Sequence, residues 1–183
     1  MTPVEVLQRF DAPPAAVLGA LADPALYPRF ASIPSVGEPE VLSIAANPDG
    51  GCTTKVRYRY RGDLPSAATA FVAKERLTWV EETTIEAGGA GRFRIVPDHY
   101  RDRVRFEGTV TVRAASSGTG TGSGSGSGSG GGGTERRLAG QLEVRLPLVA
   151  RPLVRPAEAA IADGIRAAWR DQVAVIERHL AGR

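Results

Sequence analysis

The sequence predicts an α+β fold, in which a curved antiparallel sheet of about seven strands wraps around one long C-terminal helix. Apolar and polar residues alternate at period two along most of the chain up to Leu146, a pattern typical of strands. From Pro156 to Leu180 the apolar residues instead recur at helical spacing. Two short helical stretches follow the first strand. One sheet and one principal helix therefore contain most of the predicted regular structure.

The composition suits one domain with a substantial core. The chain has 183 residues, 42% of them hydrophobic, and we expect residues 1–183 to form a single domain. Its 23 basic and 20 acidic residues leave a net charge of +3, which permits acidic partners without demanding them. Cys52 is the only cysteine, which excludes an intrachain disulfide, and the two histidines are too few for a multi-His metal site. No sequence motif predicts a cofactor.

The N-terminal segment predicts a strand and two short helices. Residues 4–10 alternate between two registers, which is the strand pattern. Asp11 is placed to cap the first helix, the two following prolines suit its first turn, and Pro24 ends it. The segment PALYPRFA predicts a second short helix that Pro28 interrupts.

The same segment bears on where the protein resides. Glu5, Arg9 and Asp11 interrupt the apolar stretch that a signal peptide requires, and no window of the sequence approaches a membrane span. We therefore expect a cytoplasmic protein without integral membrane association.

Six further strands are predicted between turn-forming sequences such as NPDGG and EAGGAG. The predicted strands are residues 39–45, 53–61, 76–86, 92–96, 102–114 and 135–146. Residues 63–73, which lie between two of these strands, predict either a short helix or a lid-like loop.

A Gly/Ser/Thr tract at residues 116–134 separates the last two strands. It has no large apolar side chain to bury, so we expect a flexible loop inserted in a hairpin. A glycine-rich phosphate cradle would need a strand before it, a helix after it and a Lys-Ser/Thr ending, and this pattern is absent from the sequence.

The C-terminal helix is predicted to be amphipathic, with a stripe of apolar residues along one side. The stripe consists of Ile161, Ile165, Ala168, Trp169, Ile176 and Leu180. The inner face of the curved sheet is the surface large enough to cover it.

Three segments resemble one family of folds. They are FDAPPAAVLGALADPALY at 10–27, DLPS at 63–66, and the stretch from Leu142 to Ala167. They resemble the START-like superfamily, which includes polyketide cyclases and lipid-transport proteins with the helix-grip fold, and most narrowly the bacterial domain of unknown function 2505. Two features depart from the pattern: the Gly/Ser tract is long, and Ala150-Arg151 stands where a glycine pair is common. The resemblance implies a cavity for an apolar or amphipathic small molecule between sheet and helix.

The ribbon KVRYRYR at 55–61 permits two interpretations. Basic residues near aromatic ones can form a surface on which nucleic-acid bases stack. Strict alternation, however, places Val56, Tyr58 and Tyr60 on one face of a strand and the basic residues on the other. We therefore expect the tyrosines to face inward and no nucleic-acid binding.

The inward register predicts which side chains line the cavity. The candidates are Tyr58, Tyr60, Leu77, Trp79, Phe93, Ile95 and Phe106 from the sheet, with Ile165 and Trp169 from the helix. Core packing alone also explains each of these residues.

Polar residues on the inner register are more informative, because burial without a partner is costly. Gln8, Glu81 and Gln172 fall on that register. A cavity would explain them; a strand bulge or pairing with backbone groups would explain them as well. Burial in an apolar cavity would raise the pKa of Glu81 and suit it to proton transfer. His99 and His179 are expected in solvent.

Three classes of function follow. The favoured one is binding or transport of a hydrophobic or amphipathic small molecule, such as a lipid, isoprenoid or polyketide, in an interior of at least roughly 300 Å³. The second is an aromatase/cyclase or dehydratase in which Glu81, with Tyr58 or Tyr60, guides proton transfer. The third is a non-catalytic protein-interaction module. The sequence assigns no catalytic residue beyond this hypothesis.

Overall fold

The computed structural model describes residues 1–63, 73–116, 133–145, 152 and 154–182. In these ranges seven strands form one sheet. The strands are β1 (Thr2–Phe10), β2 (Glu40–Ala46), β3 (Cys52–Arg59), β4 (Thr78–Ile85), β5 (Ala90–Pro97), β6 (Val104–Ala114) and β7 (Thr134–Val144). The helices are α1 (Pro14–Leu21), α2 (Val154–Ala181) and two 3₁₀ helices, Tyr27–Ser32 and Lys74–Arg76.

The sheet is antiparallel throughout, in the order β1-β7-β6-β5-β4-β3-β2. The chain meanders from β2 to β7 through neighbouring strands, and β1 pairs with β7. The first strand in the chain is thus joined to the last, and β1 and β2 form the edges of the sheet. The predicted antiparallel sheet is confirmed, with strand boundaries that shift by a few residues.

Alternate residues of β1, β6 and β7 face the helices and contribute to the core. In β1 the buried positions are Val4, Val6, Gln8 and Phe10, and β6 and β7 show the same alternation. The inner face packs against α2 and α1. A period of two is what a sheet with one covered face requires.

The inward stripe of α2 differs from the predicted one in its first turns. Ile161 is 37% exposed, whereas its neighbour Ala162 is fully buried. Glu158 is buried one turn earlier, because the Val144 N–H and the Thr2 hydroxyl donate to its carboxylate at 2.9 and 2.8 Å. These contacts rotate the start of the helix so that Ile161 lies beside the covered stripe and not within it.

Two predictions about the N-terminal helices are wrong. Asp11 does not cap α1, which has Pro13 at the N-cap position and no side-chain cap; the Asp11 N–H instead donates to Glu177 of α2 at 2.9 Å. Pro28 does not interrupt the second helix. It lies in the first turn of the 3₁₀ helix, where a missing N–H leaves no hydrogen bond unmade.

His179 was expected in solvent but is only 4% exposed. Its Nε2 lies 3.0 Å from the Asp23 carboxylate, because the last turns of α2 pack against the segment that follows α1. His99 is exposed, as predicted.

Gly140 allows the middle of the sheet to accept large rings. Gly108 and Gly140 face each other across β6 and β7. A Cβ at Gly140 would lie 2.8 Å from a Phe106 ring carbon and 2.9 Å from a Phe93 ring carbon. The absence of side chains there gives the aromatic rings room to pack.

Two predicted segments lie outside the described residues for the most part. Residues 64–72 include nearly all of the predicted helix or lid-like loop, and residues 117–132 include most of the Gly/Ser tract. Across the described helices, no segment has the length and apolar character needed to cross a bilayer.

Candidate functional site

A small cavity lies between the inner face of the sheet, the first 3₁₀ helix and α2. It has a volume of about 20 Å³, enough for roughly one water molecule. Its lining combines apolar and polar side chains from several elements. The described lining residues are Leu21, Tyr27, Phe30, Cys52, Thr54, Tyr58, Glu81, Thr83, Ile85, Arg136 and Gln172. The expected interior of at least roughly 300 Å³ is therefore wrong for the described residues, because aromatic and aliphatic side chains fill most of the space between sheet and helix. A drug-sized ligand could enter here only if side chains moved.

Arg136 is a deeply buried cation in the wall of this cavity. It lies on the inner register of β7, is 4% exposed, and donates from Nη1 to Gln8 Oε1 at 3.2 Å and to Gln172 Oε1 at 3.3 Å. Gln8 in turn donates to the Trp169 carbonyl. The Arg136 Nε has no hydrogen-bond partner among the described residues. The side-chain amides of Gln8 and Gln172 thus link β1 and α2 to the guanidinium group of Arg136 on β7.

The sequence analysis missed Arg136, although a signal for it was present. Arg136 shares the parity of Leu138, Leu142 and Val144, all of which are buried in β7. The alternation therefore predicts an inward arginine once it is followed back two residues from Leu138, within the predicted strand.

Glu81 of β4 faces the same cavity. Burial raises its pKa, and the nearby Arg136 guanidinium and a hydrogen bond from the Thr83 hydroxyl at 3.4 Å offset this only in part. Burial likewise lowers the pKa of Arg136, and Glu81 opposes that shift. Among the contacts of the described residues, no direct ion pair within 4.0 Å joins the two groups. They interact across the cavity.

Two phenols complete the polar wall. The Tyr27 hydroxyl donates to the Leu21 carbonyl at 2.6 Å, and burial raises its pKa to about 12. Burial also raises the pKa of Tyr58 well above its ordinary value. Both tyrosines are therefore neutral at physiological pH and can act as hydrogen-bonding groups.

Three of the predicted site residues, Tyr58, Glu81 and Gln172, come together at the cavity. Trp79 is half-buried and stacks on Tyr58, with ring centroids 5.9 Å apart. It supports the tyrosine without itself lining the cavity. Ile95 and Ile165 pack, half-buried, against the core.

Three further predicted residues, Phe93, Phe106 and Trp169, form an aromatic cluster. Their ring centroids are 5.2 to 5.7 Å apart, and all three side chains are buried. They fill the space between the centre of the sheet and α2. None of the three lines the cavity, so the cluster serves as core beside it.

Tyr60 and Leu77 lie at the end of β3 and before β4, away from the cavity. The Tyr60 N–H donates to the Leu77 carbonyl at 2.9 Å, and the Tyr60 hydroxyl donates to the Asp63 carbonyl at 3.0 Å. Both side chains are only partly buried. They border residues 64–72, which the structure does not describe.

A larger hollow of about 290 Å³ lies at the ends of β5, β6 and β7. Charged residues dominate its lining, and several of them are already in ion pairs: Arg105 with Glu107 at 2.7 Å and Arg145 with Glu143 at 2.9 Å. Charges that are already paired with one another are less available to a ligand. The cavity around Arg136 is the better candidate site.

Comparisons with solved structures show the fold. The crystal structure of TTHA0849 from Thermus thermophilus is 18% identical, with a TM-score of 0.59, and covers 96% of this chain and 97% of its own. The Zhui aromatase/cyclase from Streptomyces sp. R1128 is 16% identical, with a TM-score of 0.59 and coverage of 98% and 93%. A norcoclaurine synthase from Thalictrum flavum is 14% identical, with a TM-score of 0.55 and coverage of 99% and 94%. The chain is therefore similar in fold to helix-grip proteins, as predicted.

A comparison with curated proteins found no match. The family model described as "Protein of unknown function (DUF2505)" matches residues 5–180. That match spans nearly the whole chain, from β1 to the end of α2. The chain therefore belongs to this DUF2505 family, as the sequence resemblance predicted.

Proposed function

We propose that this protein binds a small amphipathic molecule between the sheet and α2. The observation that carries the proposal is a cluster of polar groups, centred on Arg136, in the wall of a cavity within an apolar core. Burying a cation costs several kcal/mol unless its partners compensate, at roughly the scale of a domain's whole stability. An interior that served packing alone would favour apolar residues at this position.

The fold supports the proposal without specifying the ligand. A norcoclaurine synthase that shares this fold was solved in complex with dopamine and hydroxybenzaldehyde, so the architecture accommodates small molecules in that protein. Leu21, Phe30 and Ile85 supply an apolar wall here, and Glu81 and Arg136 supply polar groups. A ligand with one polar end and an apolar body would match both the polar groups and the apolar wall.

Native mass spectrometry tests this proposal. The purified protein should retain a small molecule that adds mass to the folded species and is released on denaturation. In Thr54→Phe the new ring would occupy the cavity, because Thr54 lines it, and the bound molecule should be lost. Thr53→Phe is the matched control, because Thr53 lies next in the same strand on the opposite face.

The comparison of these two variants is decisive when both remain folded by thermal unfolding. Loss of the molecule from Thr54→Phe alone supports the cavity as the binding site. Equal retention in both variants would contradict it, as would a wild-type protein that neither retains a molecule nor binds added amphipathic probes.

An aromatase/cyclase or dehydratase-type activity on a ketide-like substrate is a second candidate. Glu81 favours it, because a carboxyl group with a raised pKa beside the neutral phenol of Tyr58 can donate or accept a proton. Turnover of a ketide-like substrate should then disappear in Glu81→Gln while the fold survives. Retained turnover would remove Glu81 from the mechanism.

A further inference from the structure

The Arg136 guanidinium is satisfied on one side only. Its Nη1 donates to Gln8 and Gln172, whereas Nε has no partner and none is found for Nη2 among the described residues. In a guanidinium group the Nε–H and one N–H of Nη2 point in the same direction and form a fork of two parallel donors. The unpartnered edge of Arg136 is therefore this fork.

The fork belongs to a built site. Arg136 is only 4% exposed, and it lies in the cavity wall. The two amide oxygens hold Nη1, so the guanidinium plane is oriented before any ligand arrives. Two oxygens on one carbon, as in a carboxylate, match two parallel N–H donors in spacing and in charge.

We infer that the amphipathic ligand carries a carboxylate group, and that the Nε–H and Nη2–H of Arg136 bind it through a bidentate pair of hydrogen bonds. This inference rests on the proposed function and adds the chemical class of the ligand. The apolar body of the ligand would lie against Leu21, Phe30 and Ile85, which share the cavity with Arg136.

Glu81 affects how a carboxylate ligand would bind in this cavity. Its carboxyl group faces the same cavity, and a second carboxylate there would repel it unless one of the two carries a proton. The other titratable groups that line this cavity, Tyr27, Tyr58 and Cys52, are uncharged at neutral pH because burial raises the pKa of each. A protonated Glu81 would donate a hydrogen bond to the ligand, and a Gln in its place would do so permanently.

Matched probe pairs test the inference by isothermal titration calorimetry. One pair is octanoate and octanol, and the other is naphthoate and naphthylmethanol, so that each pair keeps the apolar body and changes only the head group. The wild-type protein should bind the carboxylate of at least one pair about 10- to 100-fold more tightly than its alcohol, as expected for charge-assisted hydrogen bonds.

Four variants locate the effect. Arg136→Gln should reduce the carboxylate-to-alcohol ratio to about one, and Arg136→Lys, which keeps the charge but loses the fork, should reduce it several-fold. Glu81→Gln should increase carboxylate affinity several-fold and raise the carboxylate-to-alcohol ratio. Arg137→Gln is the matched control: Arg137 is adjacent in β7, faces outward and pairs with Glu5 at 2.8 Å, so the ratio should not change.

The outcomes separate the two proposals. If probes bind but in neither pair is the carboxylate bound more tightly than its alcohol, the carboxylate inference is overturned and the proposed function stands. A ratio that survives in Arg136→Lys and Arg136→Gln also overturns the inference. If no probe binds the wild-type protein and the purified protein retains no small molecule, both proposals fail; a retained molecule that carries no carboxylate overturns the inference alone. The wild-type comparison and Arg136→Lys decide the matter even where Arg136→Gln does not fold.

Discussion

The ionisable side chains at the cavity, Arg136 and Glu81, lower the stability of the folded protein. Arg136 is a buried ionisable group and Glu81 a half-buried one in the wall of the cavity, and no direct ion pair within 4.0 Å joins them among the described contacts. Their mutual attraction therefore offsets only part of the cost of removing them from water. The proposed ligand would supply a partner for the unpaired edge of Arg136.

Glu81→Gln is expected to stabilise the folded protein at neutral pH by about 1 kcal/mol, the lower end of the cost of burying a poorly paired polar group. Folding raises the pKa of Glu81 above its ordinary value of 4.5. Wild-type stability therefore falls as pH rises from that value through the higher folded value, because the unfolded chain releases the proton more easily. Gln at this position does not titrate.

Urea unfolding at acid and neutral pH measures this effect. The stability advantage of Glu81→Gln should increase with pH. Glu82→Gln is the control on the opposite face, where a hydrogen bond from Arg94, with Lys55 nearby, lowers the pKa of the carboxyl group; its effect should have the opposite sign. An advantage of Glu81→Gln that stays constant with pH would contradict the argument.

Gly140→Ala is expected to destabilise the protein by about 1 to 3 kcal/mol. The new methyl group would lie 2.8 Å from the Glu107 carbonyl oxygen and from the Phe106 ring, so backbone and rings must shift. Gly88→Ala is the control, since no atom lies within 4 Å of a Cβ there. Thermal unfolding should show a lower Tm for the first variant only, and equal Tm values would refute the packing argument.

The elements of the fold are held in position by polar contacts at both ends of α2. Near its start, Glu158 accepts hydrogen bonds from Thr2 of β1 and from the Val144 N–H at the end of β7. Near its end, His179 contacts Asp23. The aromatic cluster around Trp169 packs between these two anchors. The position of α2 over the cavity is thus determined by three separate contacts.

Glu158→Gln is expected to lower stability at neutral pH by about 1 kcal/mol, because a charged acceptor is lost. Burial alone would raise the pKa of Glu158, but the hydrogen bonds from Val144 and Thr2 reverse this and lower it below 4.5. The stabilisation is therefore present above pH 4.5 and is lost as the pH falls through the lower folded value.

Urea unfolding of the wild type and of Glu158→Gln at neutral and at acid pH checks this prediction. The difference in the free energy of unfolding between wild type and Glu158→Gln should be large at neutral pH and shrink in acid. Asp163→Asn serves as the control, because Asp163 is exposed on the same helix and pairs with Arg166. A difference that grows in acid would show that the carboxylate is not the stabilising form.

For the molecule as a whole, the Gly/Ser tract is expected to be dispensable. The strands that flank it are paired up to Ala114 and Thr134, and the Ala115 N–H donates to the Gly133 carbonyl at 2.7 Å, so the hairpin is closed before residues 117–132 begin. Replacing those residues with a turn of about a quarter of the length should stabilise the protein by about 1 kcal/mol. The reason is that the entropic cost of closing a loop falls by about 0.6 kcal/mol each time the loop length is halved.

Urea unfolding and carboxylate-probe binding of the shortened protein test this expectation. Binding should be unchanged, because the described cavity lining comes from other segments. A replacement of the same length with a different Gly/Ser order is the control. A large loss of stability or of binding would mean that the tract contributes contacts of its own.

Much of the fold could be predicted from local patterns. Alternation along β1, β6 and β7 required one covered face, and the helical stripe required a surface to cover it. Side-chain parity also predicted that Tyr58 and Glu81 face inward. Arg136 has the same parity as the buried residues of β7 and was open to the same argument.

Other features depended on contacts between distant segments. Ile161 and Ala162 are both compatible with an apolar stripe, and only the hydrogen bonds from Thr2 and Val144 to Glu158 decide which of them is covered. The burial of His179 likewise depends on Asp23, which lies near the other end of the chain. Helical periodicity defines a stripe to within about one residue and cannot define it more closely.

The sequence by itself determined the order of the strands and helices, the face of each strand that is buried, and the family to which the chain belongs, because these depend on the periods of the backbone and on local motifs. Only the tertiary structure decided that Gln8, Gln172 and Arg136 meet around one cavity, that the aromatic rings fill the space beside it, and that one edge of the guanidinium is left without a partner among the described residues. Those facts depend on where α2 packs on the sheet, and its position is set by contacts between residues far apart in the chain.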